Sequence, residues 1–167
     1  MGVSGTGKTT IACLLATRLG VPFADANDFH TPGNVAKMSS GLPLDDSDRE
    51  PWLAAVGRWL HDRDTAGTGG VVACSALKRR YREILRASAS TVFFLLLTAD
   101  REQLIERMAH RHGHYMPLSL LDSQLAALEP LESAERGAVL SADQAPEKVA
   151  QAAATLLQKH ASTPDAE

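Results

Sequence analysis

After Met1 the chain reads Gly2-Val3-Ser4-Gly5-Thr6-Gly7-Lys8-Thr9, which matches the pattern G-x-x-x-x-G-K-[ST] at every position. This pattern is typical of a phosphate-binding loop, whose main-chain N–H groups curl around an anion. We expect Lys8 to place its charge on the outer phosphates and the Thr9 hydroxyl to bind Mg²⁺. A helical run follows at once, so the positive end of its dipole faces the phosphates. The predicted nucleotide-binding residues are Gly2, Val3, Ser4, Gly5, Thr6, Gly7, Lys8, Thr9 and Thr10.

Length, composition and charge describe an ordinary globular chain. The 167 residues suit one domain, with 44% hydrophobic and 22% charged residues. A net charge of −3 gives no electrostatic footprint for nucleic acid or an anionic membrane. Cys13 and Cys74 have neither metal-site spacing nor a disulfide framework, which favours a reducing cytosol. The longest apolar run, residues 92–97, is far shorter than the ~20 residues of a membrane span. We therefore expect a cytoplasmic protein that binds neither nucleic acid nor membrane.

Short apolar runs alternate with helical patterns along the chain. This alternation predicts βαβ units, with a mostly parallel sheet covered by helices on both faces. The carboxyl ends of the strands should then meet at the ligand site. We expect a single domain over residues 1–160 and a disordered tail over 161–167. Strands are predicted at 21–24, 70–74, 91–97 and 138–140, and helices at 51–64, 79–87, 101–112, 119–128 and 146–160.

Three motifs resemble one known family. Residues 25–53 read DANDFHTPGNVAKMSSGLPLDDSDREPWL, a stretch without clear periodicity that favours substrate binding within a compact domain. It is similar to the acceptor-site pattern of the gluconokinase family of small P-loop kinases. Residues 74–82, CSALKRRYR, and residues 107–115, RMAHRHGHY, resemble two further motifs of that family and stand in the same order. In the first of these motifs Thr31 stands between the histidine and proline that the family joins directly, and we expect only a local loop adjustment there.

The resemblance implies the fold and the reaction. It implies a three-layer α/β P-loop kinase, with an acceptor-binding segment at about 25–53 and a helical lid at about 107–130. It also implies transfer of the ATP γ-phosphoryl group to D-gluconate, with Mg²⁺, in a homodimer. The family carries a central strand ahead of the phosphate loop, between the strands at 71–74 and 92–97. Only Met1 precedes Gly2, so we expect that strand to be missing here and the natural start to lie upstream.

The implied chemistry assigns roles to individual side chains. Phosphoryl transfer requires neutralised charge, an in-line acceptor and a carboxylate near the acceptor proton. Asn27 stands where the family usually carries an acid, so Asp25 or Asp28 handles the hydroxyl. The sequence leaves the choice open, although Asp28 is closer and is expected to be the more sensitive. The predicted catalytic residues are Lys8, Asp28, Asp25, Arg107 and Arg111; the predicted substrate-binding residues are Asp28, His30, Lys37, Arg49, Lys78 and Arg82; and Thr9 is the predicted metal ligand.

Other interpretations stay open at this point. Lys37 and Arg82 could be solvated surface charges, and Arg49 could belong to a structural ion pair. The acids Asp45, Asp46 and Asp48 suit the N-cap of the helix predicted from residue 51. The chain could also be a shikimate- or adenylylsulfate-kinase-like enzyme, or a nucleotide-binding module without catalysis. Residues 30–53 argue against the two other kinases, whereas Asn27 and the short start keep the module open.

Overall fold

The computed structural model describes residues 1–109 and 120–162, which form alternating helices and short strands. The first helix begins at Lys8, directly after the phosphate loop, as the sequence predicts. In chain order the elements are α1 (Lys8–Leu19), β1 (Phe23–Asp25), a 3₁₀ turn (Ala26–Phe29), α2 (Pro32–Ser39), α3 (Asp46–Thr65), β2 (Val71–Ala73), α4 (Arg79–Ser88), β3 (Phe94–Thr98), α5 (Arg101–Ala109), α6 (Leu121–Ala127), β4 (Gly137–Ser141) and α7 (Pro146–Ser162).

The strands form two parallel pairs. β1 pairs with β2, with Ala24 opposite Val72, and β3 pairs with β4, with Leu96 opposite Val139. Met1 lies between the pairs, where its nitrogen donates to Leu95 O and its carbonyl accepts from Leu97 N at 2.9 Å. Within the described residues the sheet is therefore interrupted between β2 and β3, at the position the sequence indicated. A cavity of about 320 Å³ with a mostly apolar lining occupies this interruption.

Helices cover both faces of the sheet. On one face, Ile11 and Leu15 of α1 pack with Val149 and Ala153 of α7. On the other face, the core consists of side chains from α3 and α4 with Phe94 of β3. Burial stabilises each large apolar side chain of these layers by about 1.5–3 kcal/mol. The three-layer α/β architecture predicted from the sequence is confirmed.

The curve of the phosphate loop requires glycine at two close approaches. Gly2 has φ +135°, and a Cβ there would lie 2.6 Å from Leu97 O. Gly5 has φ +86°, and a Cβ there would lie 2.9 Å from Leu104 O. Residues with side chains rarely adopt these φ values, and neither contact leaves room for one. The two glycines therefore let the loop press against the end of β3 and against α5.

The acceptor segment is more regular than the sequence suggested. It contains the 3₁₀ turn, α2 and the first turns of α3. Thr31 caps α2 by accepting a hydrogen bond from Asn34 N, which agrees with a local adjustment at that position. Asp45 caps α3 in a reciprocal pair with Asp48. The prediction that these acids cap a helix is confirmed, but α3 starts at Asp46 and not at residue 51, because the capping pair lies ahead of Pro51.

The boundaries of the tail and lid predictions also change. α7 continues to Ser162, so the disordered tail predicted for 161–167 is wrong for its first two residues, and residues 163–167 lie outside the described chain. Residues 110–119 of the predicted lid, including Arg111, also lie outside it. α6 packs into the core through Leu121, which is 2% exposed and contacts the apolar cluster around Val3. Among the described helices, none is long and apolar enough to cross a membrane.

A buried arginine holds the loop that follows α6. Arg82 of α4 is 1% exposed. Its Nε and one terminal nitrogen donate to Glu135 at 2.5 and 2.7 Å, and this hydrogen bonding lowers the pKa of Glu135. Its remaining donors bind the carbonyls of Leu77, Glu129 and Pro130. The sequence analysis predicted Arg82 as a substrate-binding residue, but in the structure every nitrogen of its guanidinium holds the loop that follows α6, and Arg82 is not among the residues that line the pocket between the phosphate loop and the acceptor segment.

We expect Arg82→Met to lower the free energy of unfolding by about 3–5 kcal/mol, because it leaves the Glu135 carboxylate buried without its partner. Equilibrium urea unfolding measures the change. Arg86→Met is the control, since Arg86 lies on the exposed face of the same helix, and should change the free energy by less than about 0.5 kcal/mol. Similar small losses in both variants would contradict the structural role of Arg82.

Candidate active site

One pocket joins the phosphate loop to the acceptor segment. It opens where β1 and β2 end, as expected for the carboxyl ends of parallel strands. The phosphate loop and the first turn of α1 form one wall, and the 3₁₀ turn and α3 form the other. The lining includes Ser4, Gly5, Gly7, Lys8 and Thr9 from the first wall, Asn27, His30, Arg49 and Trp52 from the second, and Gln124 from α6.

A short hydrogen bond ties the phosphate loop to the end of β1. Thr9 Oγ1 donates to Asp25 Oδ2 at 2.6 Å, while Asp25 Oδ1 accepts from Asn27 N at 2.9 Å. Asp25 therefore caps the 3₁₀ turn and orients Thr9 at the same time. The hydroxyl proton points to Asp25, so the lone pairs of Thr9 Oγ1 can bind a hard cation such as Mg²⁺. Lys8 Nζ donates to Val3 O at 2.9 Å, inside the curve of the loop.

The structure treats the two candidate carboxylates differently. Neither Asp25 nor Asp28 is a lining residue of the pocket, but Asp25 is half-buried and accepts a hydrogen bond from Thr9, which does line it, whereas Asp28 is exposed. Ala26 and Asn27 of the 3₁₀ turn line the pocket, and Asn27 is the one with a polar side chain. Successive side chains of such a turn diverge by about a third of a circle, so neighbours in sequence face different directions. Being next to Asn27 in sequence therefore does not bring Asp28 to the same face of the turn. The geometry favours Asp25 over Asp28 as the carboxylate near the acceptor hydroxyl.

His30 is held in the pocket as an uncharged ring. It stacks on Trp52 with 4.5 Å between ring centroids, and Trp52 Nε1 is itself fixed by donating to Ala26 O at 2.7 Å. Burial, together with the positive charge of Arg49, lowers the pKa of His30 from 6.5 to about 4. Within the described chain, its buried Nδ1 has no hydrogen-bond partner. A ligand hydroxyl would supply that partner.

Basic side chains surround Tyr81, and one of them, Arg49, also lines the pocket. Arg49, Lys78 and Arg80 lie 5.6, 5.6 and 5.3 Å from its ring centroid. Asp46 pairs with Lys78 at 3.2 Å, with Arg80, and with the Tyr81 hydroxyl. We call these five residues the Tyr81 cluster. Its three cations face one carboxylate, so it carries a net positive charge. Arg80 was not singled out from the sequence, although it stands within the recognised 74–82 motif.

Two other predicted site residues have structural partners. Lys37 pairs with Asp45 and Asp48 at 3.3 and 2.5 Å, which joins α2 to the start of α3, and hydrogen bonding to Asp48 raises the pKa of Lys37. Arg107 donates to Ala142 O at 2.8 Å, after the end of β4. Neither residue lines the pocket described above.

Comparison with known proteins identifies the family. The shikimate kinase family model matches residues 4–159. A gluconokinase from Gluconobacter oxydans is 54% identical over 129 residues, which cover 77% of this chain and 72% of the relative. The chain belongs to the gluconokinase family. It is therefore a kinase, a phosphotransferase that uses ATP and has an alcohol group as acceptor.

Two solved kinase structures agree with this assignment. A sugar kinase from Janibacter sp. HTCC2649 is 49% identical and superposes with a TM-score of 0.90, covering 95% of this chain and 91% of that one. A gluconokinase from Sinorhizobium meliloti 1021 is 42% identical with a TM-score of 0.87, covering 96% and 90%. The P-loop kinase fold and the family resemblance predicted from the sequence are both confirmed.

The uncharged state of His30 can be measured directly. We expect its ring proton resonances to titrate near pH 4 in NMR spectra. Arg49→Met should raise this pKa but leave it below 6.5, because burial is the larger cause of the shift. Arg86→Met should not change it. Since the unfolded chain binds this proton more readily, His30 also makes stability fall as the pH drops from 6.5 towards 4. A pKa of His30 near 6.5 would contradict this environment.

Proposed function

We propose that this gluconokinase-family chain transfers the γ-phosphoryl group of ATP to D-gluconate, giving 6-phosphogluconate and ADP. The supporting observation is the single pocket in which Lys8 and Thr9 face Asn27, His30 and Arg49. Phosphoryl transfer depends mainly on positioning and charge stabilisation, so a phosphate cradle and a polyol-binding wall in one pocket supply what the reaction needs. The names of the relatives from Gluconobacter and Sinorhizobium point to the same substrate.

At the phosphate end, the proposal rests on Lys8 and Thr9. The amides of the loop and the Lys8 ammonium would stabilise the negative charge of the transferring group. The Thr9 hydroxyl, oriented by Asp25, would be the protein ligand of Mg²⁺, which when bound supplies further charge neutralisation. An all-oxygen environment of this kind suits Mg²⁺. Arg107 and Arg111 stay as proposed closing residues.

At the acceptor hydroxyl, Asn27 and His30 are the proposed hydrogen-bonding groups. Asn27 can orient the hydroxyl but cannot take its proton, because an amide is not basic. As the bond forms between the acceptor oxygen and the γ-phosphorus, the bond from that phosphorus to the bridging oxygen of ADP breaks. The hydroxyl proton passes to the Asp25 carboxylate, which lies beside Thr9 at the phosphate end.

At the other end of the acceptor, the Tyr81 cluster is the proposed carboxylate-binding region. Arg49 both lines the pocket and lies over Tyr81, so it connects this cluster with the acceptor wall. A guanidinium binds a carboxylate in two parallel hydrogen bonds, and Lys78 adds a point charge. The excess of cations over carboxylates favours an anionic sugar acid over a neutral sugar. Lys37 and Arg82 are left out of this proposal because their partners are structural.

Two broader properties follow as proposals from the family assignment. We propose that the chain is a cytoplasmic enzyme and that it forms a homodimer. Multi-angle light scattering would test the dimer, and a mass equal to twice 17.9 kDa is the expected result.

The reaction is tested by an ADP-release assay with gluconate, glucose, shikimate and glycerate as acceptors. We expect turnover with gluconate and none above background with the other three, because gluconate alone combines an extended polyol chain with a terminal carboxylate: glucose has no carboxylate, shikimate is a ring and glycerate is shorter. Lys8→Met should lower turnover by about 10²–10³-fold. Preference for shikimate would favour a shikimate-kinase-like enzyme. Nucleotide binding without turnover on any acceptor would favour a non-catalytic module.

The two carboxylates are separated by matched substitutions. We expect Asp25→Asn to lower kcat by about 10²-fold or more, since it loses both the proton acceptor and the charge that orients Thr9. Asp28→Asn is the matched control and should keep kcat within about threefold, because Asp28 is exposed and it is Asp25 that holds Thr9. A larger loss in Asp28→Asn than in Asp25→Asn would reverse this assignment.

A further inference from the structure

Gln124 of α6 reaches the phosphate loop from a distant part of the chain. Ser4 N donates to Gln124 Oε1 at 2.7 Å, and Gln124 lines the same pocket as Lys8, Thr9 and Asn27. Its contact with Ser4 joins residues 120 positions apart in sequence. No local pattern in the sequence distinguishes Gln124, and none of the roles described above uses it.

The helix that carries Gln124 is anchored on the loop that Gln124 contacts. Leu121 is 2% exposed and lies in one apolar cluster with Val3, Leu77 and Leu104. Leu125 packs against the same cluster from the next turn of α6. Val3 belongs to the phosphate loop, so burial of these side chains fixes α6 relative to that loop. Gln124 is therefore held at a defined position and does not depend on a mobile surface contact.

The chemistry of a primary amide suits this position. Its oxygen accepts hydrogen bonds and its nitrogen donates two, in one planar group. Ser4 N–H donates to Oε1, so the amide is oriented at the pocket that Lys8 also lines. The group carries no charge, so it does not repel a phosphate. Preorganised donors of this kind stabilise charge that develops in a transition state without any cost of reorganisation.

We propose that Gln124 is a further catalytic residue, whose Nε2 donates a hydrogen bond to an oxygen of the γ-phosphoryl group during transfer while Ser4 N–H holds its Oε1. This inference rests on the phosphoryl transfer proposed above. Gln124 forms no covalent bond and loses no proton in the step. Its contribution is to stabilise charge on the side of the phosphoryl group that faces α6.

Two substitutions separate the donor from the rest of the side chain. Gln124→Glu keeps the size and the oxygen that accepts from Ser4 N–H, but it removes the donors and adds a negative charge. Gln124→Met keeps the length and removes all hydrogen bonding. We expect both to lower kcat for gluconate by about 10²-fold and to change the KM for ATP by less than about threefold. Gln151→Met, at an exposed position on α7, is the control and should match the unsubstituted chain.

A binding measurement completes the test. Tryptophan fluorescence can report binding, because Trp52 lines the pocket. Without aluminium fluoride, we expect the affinity of both Gln124 variants for ADP with Mg²⁺ to be within about threefold of that of the unsubstituted chain. With aluminium fluoride, which mimics the transferring group, we expect both variants to bind ADP about 10²-fold more weakly than the unsubstituted chain does under the same conditions. A kcat within threefold in Gln124→Met, or an equal loss of ADP affinity, would overturn the proposal. If the unsubstituted chain fails to phosphorylate gluconate, the proposed function fails, while the aluminium fluoride measurement still decides the role of Gln124.

Discussion

The hydrogen bond from Thr9 Oγ1 to Asp25 Oδ2 joins the two parts of the active site. Thr9 lies in the first turn of α1, and Asp25 is the last residue of β1. A hydrogen bond to a charged group contributes about 1.5–3 kcal/mol, which is modest beside the packing of α1 on α7. Its importance is geometric, because it fixes the start of the acceptor segment against the phosphate loop. Together with the hydrogen bond from Trp52 Nε1 to Ala26 O, this contact sets the position of the 3₁₀ turn that carries Asn27 relative to Lys8.

The acceptor wall changes from uncharged side chains to positively charged ones. Near the phosphate loop the wall offers Asn27 and an uncharged His30, which suit hydroxyl groups. Farther out, Arg49 leads to the Tyr81 cluster, where cations outnumber carboxylates. The same guanidinium that attracts an anion also helps to keep His30 unprotonated. Arg49 therefore contributes to the electrostatics at both ends of the proposed acceptor site, although burial is the larger cause of the low pKa of His30.

Local signals in the sequence predicted much of this arrangement. The phosphate loop, the helix after it and the parallel strands follow from glycine spacing and hydrophobic patterning. The cap of α3 followed from its acids, although the helix began earlier than its apolar stripe. The choice between Asp25 and Asp28 could not be made, because it depends on the turn that the backbone takes after β1.

The features that the sequence did not predict depend on long-range contacts. In the sequence Arg82 is one of several cations in a basic motif. Only the folded structure brings Glu135 and three backbone carbonyls into hydrogen-bonding contact with its guanidinium. Gln124 reaches the phosphate loop only because α6 packs on the apolar cluster that contains Val3. Neither partner set is adjacent in sequence, and one chain without aligned relatives carries no signal that connects them.

The most direct test of the shared pocket is a crystal structure of the chain with ADP, Mg²⁺ and gluconate. We expect gluconate between Asn27 and Arg49, with one terminal hydroxyl directed towards the phosphate loop and its carboxylate towards the Tyr81 cluster. Gluconate bound elsewhere, such as in the apolar cavity between β2 and β3, or bound with its carboxylate against Lys8, would contradict this expectation.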